Sequence, residues 1–264
     1  MTNLLFLITE VSGLKDHYIK TKKGSPRMLK LRSRLKLFFI SFLDRFKSTE
    51  KIFSDIYRKN LWGGKKGEFC SGDGSSNPSV IEPYIKKLVE ISTEQDFINS
   101  TCVDLGCGDF QIGKKIHGLF SKYIGVDIVP DLISHNKRTH CERNVDFLCK
   151  DIISDALPDG DICILRQVLQ HLSNNQIQKI IKKISKYKIC IITEHIPHEK
   201  YIYNANIDKT TGGSIRLFNK SGIYLWLPPF NLPQSRIKSI LKVPSPSIGG
   251  NPESGFIETF IYTP

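Results

Sequence analysis

The sequence predicts an α/β protein with a doubly wound, mainly parallel seven-stranded sheet and an N-terminal helical extension. From about residue 100, apolar runs of strand length alternate with helical patterns, a spacing that is typical of βαβ units. The first run ends in a glycine-containing turn, VDLGCGD at 103–109, as expected where a parallel strand passes into its helix. Ligands of such sheets bind at the carboxyl ends of the strands, so we expect the functional site beside this turn.

Five strands are predicted in succession and two more near the end of the sequence. The successive strands are TCVDL, YIGVDIV, VDFLCKDI, DICILRQV and KICIITEH, all between residues 101 and 195. The runs IKSILKV at 237–243 and FIETFIYT at 256–263 are expected to form a strand pair at the sheet edge. Helices are expected at KIFSDIYRKNLW, from Pro83 to Ile91, at GKKIHGLFSK, and after Ser173, where Gln176 completes a capping box.

We divide the chain into a basic helical extension, residues 1–50, and a main domain, residues 51–264. The extension holds eleven basic and four acidic residues, a net charge of +7 out of the formal +12 of the whole chain. Such a charge favours polyanions, namely nucleic acid, anionic lipid or phosphorylated substrates, without choosing among them. Within the main domain we distinguish a loop at 62–80, a binding core at 100–195, and an insertion with edge strands at 196–264.

The segment LRSRLKLFFISFLDRF at 31–46 has the pattern of an amphipathic helix with basic residues beside its apolar stripe. A helix of this kind either lies on an anionic membrane surface or packs its stripe against its own domain. Packing within the domain is the commoner case, and peripheral membrane contact stays open.

Cysteine usage and hydropathy indicate a cytoplasmic protein. The seven cysteines form no CxxC pair, so we expect reduced thiols and no metal site. No apolar run reaches the roughly 18–20 residues that a membrane span needs. The short apolar stretch near Met1 has no basic leader before it and no small-residue cleavage site after it, so we expect no signal peptide.

The turn at 103–109 does not fit the two common phosphate-binding motifs. The third glycine of G-x-G-x-x-G would fall at Gln111, and the P-loop pattern is absent. The carboxylate of Asp104 would repel a pyrophosphate and attract an ammonium group. S-adenosylmethionine offers an ammonium, a sulfonium, a ribose diol and an adenine amine, and acids stand at three successive predicted strand ends, Asp104, Asp127 and Asp151. The alternative for each acid alone is a helix cap.

The motifs VDLGCGDF, GVDIV, FLCKDI and ILRQVLQHL occur in this order and together resemble the class I S-adenosylmethionine-dependent methyltransferases. The resemblance implies the Rossmann-like methyltransferase fold and S-adenosyl-L-methionine as the cofactor. One departure is Phe110, where many members have a further glycine, so the path of the loop is open. The cofactor-binding positions implied by the resemblance are Asp104, Gly106 and Gly108 for the methionine end, Asp127 and Ile128 for the ribose, Asp151 and Ile152 for the adenine, and Arg166 and Gln167 along the wall.

Two histidines near predicted strand ends are candidate catalytic bases. Methyl transfer is mainly a positioning problem, and a base is needed only when the acceptor is weakly acidic, as an alcohol is. His171 follows the fourth strand and His195 ends the fifth, and histidine accepts a proton near neutral pH. Packing beneath the cofactor or helix capping is the alternative for His171, and Glu194 competes with His195 for the same role.

Candidate substrate-binding residues lie before the first strand and after the fifth. Asp208 and Arg216 fall in the insertion, where Arg216 can hold a phosphate or carboxylate or form a surface ion pair. Glu194 is a further candidate. Trp62 opens the glycine-rich loop, which we predict to be either a lid that expels water or a simple connector.

The finer pattern, with IYRKNLWGG, SGDGSS and LPPFNLP, is similar to a bacterial subgroup linked to cell-surface polysaccharide biosynthesis of capsule or lipopolysaccharide. The resemblance implies methylation of a small-molecule or glycan-linked acceptor through oxygen, including sugar hydroxyls or a capsular phosphoramidate. An RNA methyltransferase using residues 1–50 and a non-catalytic S-adenosylmethionine-binding protein are the alternatives. Nucleic acid is disfavoured, because the chain has no Pro-Cys, and its LPPF at 227–230 lies far beyond the fourth strand.

Overall fold

The computed structural model describes residues 47–199, 204–245 and 255–264. The predicted helix at 31–46 and nearly all of the basic extension lie outside the described residues. Seven strands are present among the described residues. They are β1 (Thr101–Leu105), β2 (Lys122–Asp127), β3 (Val145–Cys149), β4 (Ile162–Arg166), β5 (Ile189–Ile196), β6 (Ile237–Pro244) and β7 (Phe256–Tyr262).

The helices pack around these strands and alternate with them along the core. They are α1 (Thr49–Arg58), α2 (Asp73–Ser76), α3 (Pro78–Ser92), α4 (Gly113–Ile116), α5 (Pro130–Thr139) and α6 (Asn174–Ile184). Short 3-10 turns complete the connections, and the one at Leu169–His171 follows β4 directly.

The strands form one sheet in the order β3-β2-β1-β4-β5-β7-β6. Strands β1 to β5 are parallel, and β7 is antiparallel to both β5 and β6. The predicted fold class, a mainly parallel seven-stranded sheet with a strand pair at its edge, is confirmed. The order reverses between β1 and β4, which is the position where open sheets of this type bind ligands.

Helices cover both faces of the sheet because each presents an apolar stripe. On one face, α6 buries Ile177, Ile180, Ile181 and Ile184, four residues at helical spacing. The predicted capping box fixes the start of α6, since Ser173 and Gln176 each bond the other's backbone amide. On the other face, Tyr84 and Leu88 of α3 pack against β1 and β4.

Several predicted boundaries differ from the structure. Strand β3 ends at Cys149 and not at Ile152, because Asp151 accepts a hydrogen bond from the Ile153 amide at 2.8 Å and bends the chain. The helix predicted at GKKIHGLFSK is one turn, α4, followed by a 3-10 turn. The loop predicted at 62–80 contains α2 and the start of α3, whose cap is Asn77.

Helix α1 begins at Thr49 because Ser48 caps it, and its side chain accepts from the Lys51 amide. The helix therefore spans the predicted boundary at residue 50, and the division into an extension and a main domain stays a prediction. Within the described part of the chain, no helix is both long and apolar enough to cross a membrane.

Candidate cofactor and acceptor site

A cavity opens at the carboxyl ends of β1, β2 and β4, with an empty volume of about 810 Å³ that includes space open to solvent. Its floor comes from the chain just beyond the strands, and its roof comes from α1 and the loop after it. The lining includes Thr49, Phe53, Tyr57, Trp62, Ser71, Ser75, Gly106, Cys107, Gly108, Asp127, Ile128, Lys150, Asp151, Ile152, Ile153, Arg166, Gln167, Val168, His171 and Leu172.

The turn after β1 requires glycine at two positions. Gly106 and Gly108 have φ values of +84° and +56°, a region that side chains other than glycine rarely adopt. A Cβ added at Gly106 would lie 2.5 Å from Val168 Cγ2, and one added at Gly108 would lie 2.4 Å from Ser71 Oγ. The bare backbone of this turn therefore forms a wall of the cavity where no side chain fits.

Phe110 keeps the path of the loop although it replaces a glycine of the family pattern. Its φ is +61°, the left-handed conformation that glycine adopts most easily. Its ring is fully buried against Tyr123 and Phe147, with ring centroids 5.8 and 4.8 Å away. Gly113 makes room for this ring, because a Cβ there would lie 2.1 Å from Phe110 Cε2. Packing of the aromatic ring thus offsets the backbone strain at Phe110.

Asp127, the last residue of β2, places its carboxylate in the cavity wall. One oxygen accepts from the Gly108 amide and the other from the Val129 amide, both at 3.1 Å. These bonds fix the carboxylate beside the glycine turn, and its remaining lone pairs are available to two hydroxyl groups. Burial raises the pKa of Asp127, although the backbone hydrogen bonds lower it.

Asp104 is buried beneath the turn and is not among the residues that line the cavity. It is the penultimate residue of β1, and its carboxylate accepts from the Tyr123 hydroxyl at 2.7 Å. Burial raises the pKa of Asp104 to about 6, against the lowering effect of that hydrogen bond. The structure therefore places Asp104 where it supports the turn from below, and direct contact with the methionine end stays a prediction.

The sequence analysis considered two roles for Asp151, contact with a ligand and capping of the following segment, and its position is compatible with both. It lines the cavity together with Ile128 and Ile152. It also caps the following turn, accepting from the Ile153 amide at 2.8 Å and the Ser154 hydroxyl at 3.0 Å. The two isoleucines offer apolar surface for a flat ring, and Asp151 offers oxygen atoms at its edge.

Arg166 and Gln167 supply donors to the cavity wall. Arg166 Nη2 donates to the Gly74 carbonyl at 2.6 Å, and its guanidinium lies 5.0 Å from the centre of the Tyr84 ring. Gln167 has a φ of +57°. Among the described residues, Arg166 Nε and Gln167 Nε2 are buried donors with no hydrogen-bond partner. Unsatisfied buried donors at a cavity wall fit a ligand with acceptor oxygens, such as a carboxylate.

The segment from Trp62 to Ser76 forms part of the cavity roof. The Trp62 indole donates to the Gly213 carbonyl at 3.2 Å, and Trp62, Ser71 and Ser75 line the cavity. The Ser71 amide donates to Asp109 at 2.9 Å, and the Asp109 amide donates back to Ser71 Oγ at 3.0 Å. The predicted loop is thus held onto the glycine turn by reciprocal bonds. Its opening and closing as a lid stay a prediction.

His171 is the candidate base that faces the cavity. Its ring centroid lies 5.0 Å from that of Trp62, and its Nδ1 lies 3.3 Å from the Gly212 carbonyl oxygen. Burial lowers the pKa of His171 to about 4, and the nearby charge of Lys209 lowers it further, while backbone hydrogen bonds of Gly212 and Ser214 raise it. The imidazole is therefore neutral at physiological pH.

The low pKa of His171 predicts a loss of stability on mild acidification. An unfolded chain protonates this histidine near 6.5, whereas the folded chain resists protonation until about 4. The unfolded state binds more protons between these values, so His171 should lower the free energy of unfolding as the pH drops through this window. The raised pKa values of Asp104 and Glu194 act in the opposite direction, so the contribution of His171 is the difference between wild type and the variant. Urea denaturation of wild type and His171→Gln checks this. An equally steep pH dependence in His171→Gln would contradict the assignment, and the exposed His198→Gln serves as the control.

Apart from Trp62, the other predicted catalytic and substrate residues do not line the cavity. His195 is buried on β5 opposite Ile257 of β7. Glu194 points its carboxylate at two backbone amides, those of Leu169 and Gln170.

Two candidates from the insertion also bond the protein's own backbone. Asp208 accepts from the Asn174 amide at 2.7 Å. Arg216 is 1% exposed and donates to the Leu172 carbonyl at 2.7 Å, so it forms no surface ion pair. Asp208 is exposed, as expected for a charged residue in a loop-like segment, whereas Arg216 is buried and its guanidinium donates to carbonyl groups of the chain.

The sequence analysis missed the contribution of α1 to the roof. Phe53 and Tyr57 stand four residues apart and face the cavity from the same side of the helix. Their rings lie 6.0 and 5.4 Å from the Trp62 ring. The aromatic i, i+4 spacing was visible in the sequence, but the surface that these rings cover was not, because the cavity forms only when α1 packs beside the segments that follow the strands.

The comparisons with known proteins agree with this geometry. Residues 102–187 match the family model described as "Methyltransferase domain". The structure of the N-methyltransferase NodS from Bradyrhizobium japonicum WM9 in complex with S-adenosyl-L-homocysteine is similar with a TM-score of 0.54 and 12% identity, over 83% of this chain and 100% of that chain. Human N-acetylserotonin methyltransferase in complex with S-adenosylmethionine is similar with a TM-score of 0.52 and 16% identity, over 82% of this chain and 60% of that one.

At these identities the two structures show a shared fold. No curated protein matches the chain, and the described residues contain no cluster of three or more residues able to hold a metal ion. Fold, family match and cavity lining agree on one cofactor. Residues 102–187 therefore match a methyltransferase domain, within a chain that shares the fold of methyltransferases of known structure.

Proposed function

We propose that this chain is a class I S-adenosylmethionine-dependent methyltransferase and that it acts on a hydroxyl oxygen of a small-molecule or glycan-linked acceptor. The observation that carries the proposal is the position of the His171 imidazole in the cavity wall, 5.0 Å from the Trp62 ring. A hydroxyl loses its proton on methylation, so a nearby neutral base favours an oxygen acceptor.

The cofactor half of the cavity has a group for each part of the ligand. Asp127 accepts from the ribose hydroxyls, and Ile128, Asp151 and Ile152 surround the adenine. The methionine end meets the backbone of the glycine turn and the free donors of Arg166 and Gln167. When bound, S-adenosylmethionine supplies a methyl group activated by a positively charged sulfur.

The acceptor half is aromatic and carries the base. The contact between His171 Nδ1 and the Gly212 carbonyl requires the proton on Nδ1, because a carbonyl only accepts. The neutral ring then has its lone pair on Nε2, which lies 3.5 Å from the Gln170 side-chain nitrogen, and the hydroxyl would take the place of that weak contact when it gives up its proton. Phe53 and Trp62 provide a flat apolar wall, and such a wall packs well against a planar or sugar ring. The roof also excludes water from the cavity.

We propose cell-surface polysaccharide assembly in the cytoplasm as the setting. The sequence resemblance to a polysaccharide-linked subgroup supports it, and the basic amphipathic pattern at 31–46 supports peripheral contact with an anionic membrane. Sedimentation with anionic vesicles that disappears on removal of residues 1–48 is expected. Tight, salt-sensitive binding to bulk RNA would favour the RNA methyltransferase instead.

Replacing His171 by alanine is expected to lower turnover about a hundredfold while leaving cofactor affinity within about twofold, because general base catalysis contributes on this scale. Transfer of a deuterated methyl group to nucleotide-sugar and glycan acceptors, followed by mass spectrometry, measures turnover. Calorimetry measures cofactor affinity.

His198→Ala is the matched control for this substitution, since His198 is exposed and does not line the cavity. Wild-type turnover of His171→Ala with the same acceptor would contradict its role as the base. A folded wild-type protein that binds cofactor and methylates no hydroxyl in the panel would contradict the proposed acceptor class.

A further inference from the structure

The 3-10 turn Leu169–His171, which carries His171, is held at its start by a buried carboxylate. Glu194 Oε1 accepts from the Leu169 amide at 2.8 Å, and Oε2 accepts from the Gln170 amide at 3.1 Å. Glu194 is 1% exposed and lies on β5, next to β4 in the sheet. These amides have no partner within so short a turn, so the carboxylate fixes where the turn begins.

The same turn is held at its end by a buried guanidinium. Arg216 Nη2 donates to the Leu172 carbonyl at 2.7 Å and to Asn174 Oδ1 at 2.9 Å. Its Nη1 donates to the Ile207 carbonyl within the insertion. One side chain therefore ties the residue after His171 to the segment that follows β5.

The insertion also reaches His171 directly. The Gly212 amide donates to the His171 carbonyl at 3.0 Å, Lys209 Nζ donates to the same oxygen at 3.3 Å, and the Gly212 carbonyl contacts Nδ1. Backbone and ring of His171 are thus both fixed by the same few residues.

Burying two charged groups beside one short turn costs free energy, and apolar residues of similar volume at the same positions often stabilise a core equally well. Burial raises the pKa of Glu194 to about 8 and lowers the pKa of Arg216, and the attraction between the two groups opposes both shifts. Their hydrogen bonds are directional and hold both ends of the turn, which apolar side chains cannot do.

We infer that Glu194 and Arg216 are positioning residues that set the imidazole of His171 in the cavity wall. This rests on the proposed function, in which His171 is the base. Glu194 acts from β5 and Arg216 from the insertion, so the insertion influences the reaction through the base and not by contact with the acceptor.

Glu194→Gln is the first test, because glutamine keeps the size of the side chain but replaces one accepting oxygen with a donor. The ring signal of His171 is identified as the histidine signal that is absent from the spectrum of His171→Ala. In Glu194→Gln we expect this signal to change its ¹H–¹⁵N shifts. We also expect the pKa of His171 to rise toward 6.5, because the ring becomes exposed to water. Turnover should fall about tenfold or more, with the KM for the acceptor and the Kd for the cofactor within about twofold.

Arg216→Lys is the second test, because lysine keeps the charge and loses the forked donor geometry. It should shift the same ring signal. Glu258→Gln is the matched control, since Glu258 pairs with Glu194 across β5 and β7 but bonds the Ser239 hydroxyl at the surface.

Unchanged His171 shifts and pKa in both folded variants would overturn the inference. So would failure of both variants to fold, because the pair would then be a structural element of the core. If His171→Ala is fully active, the proposed function fails, whereas the ring signal still reports whether the pair positions the imidazole.

Discussion

Asp127→Ala should weaken binding of S-adenosylmethionine at least tenfold, about 1.4 kcal/mol or more. The carboxylate lines the cavity and is the last group of β2, held by the amides of Gly108 and Val129. Removing it deletes the acceptor proposed for the ribose hydroxyls and leaves two buried amides unpaired. Calorimetric titration with S-adenosylmethionine and S-adenosyl-L-homocysteine measures the loss.

Two further variants separate the causes of this loss. Asp127→Asn keeps one accepting oxygen for the amides but removes the charge, so it should bind better than Asp127→Ala and worse than wild type. Asp131→Ala removes an exposed acid four residues away that does not line the cavity, and it should bind like wild type. Wild-type affinity of Asp127→Ala would show that this carboxylate does not contact the ribose.

Gly106→Ala is expected to reduce both stability and cofactor binding. The added Cβ would lie 2.5 Å from Val168 Cγ2 at a φ of +84°, and valine has little rotamer freedom to move away. A strained left-handed residue costs roughly 1–3 kcal/mol of unfolding free energy. The displaced turn also narrows the cavity, so the cofactor Kd should rise at least tenfold, about 1.4 kcal/mol.

Gly118→Ala is the control for the same chemical change. Nothing lies within 4 Å of a Cβ at Gly118, and its φ is not positive. Alanine there should keep both the unfolding free energy and the cofactor Kd close to wild type. Equal effects of the two substitutions in urea denaturation would contradict a special role for the turn after β1.

The sheet and the place of Asp127 in the cavity wall were predictable because their signals are local. Strand runs, the glycine turn and Asp127 each follow from a few neighbouring residues, and parallel pairing brings the strand ends together. Phe110 shows the limit of this reasoning. Its left-handed φ is accommodated by ring packing and by Gly113, and neither is visible from the turn alone.

The positions of the residues at the acceptor end could not be predicted from the sequence, because contacts between residues far apart in the chain determine them. Arg216 bonds a carbonyl 44 residues earlier, and Glu194 bonds amides 24 and 25 residues earlier. A charged residue is expected at the surface or at a ligand unless such partners are known. The roof from α1 depends likewise on packing across the sheet.

The most direct test of the central claim is a crystal structure of the protein with S-adenosyl-L-homocysteine. We expect the nucleoside in the cavity at the carboxyl ends of β1 and β2, with both ribose hydroxyls within about 3 Å of the Asp127 oxygens and the sulfur facing His171. A nucleoside bound elsewhere, or an Asp127 carboxylate turned away from the ribose, would contradict the account.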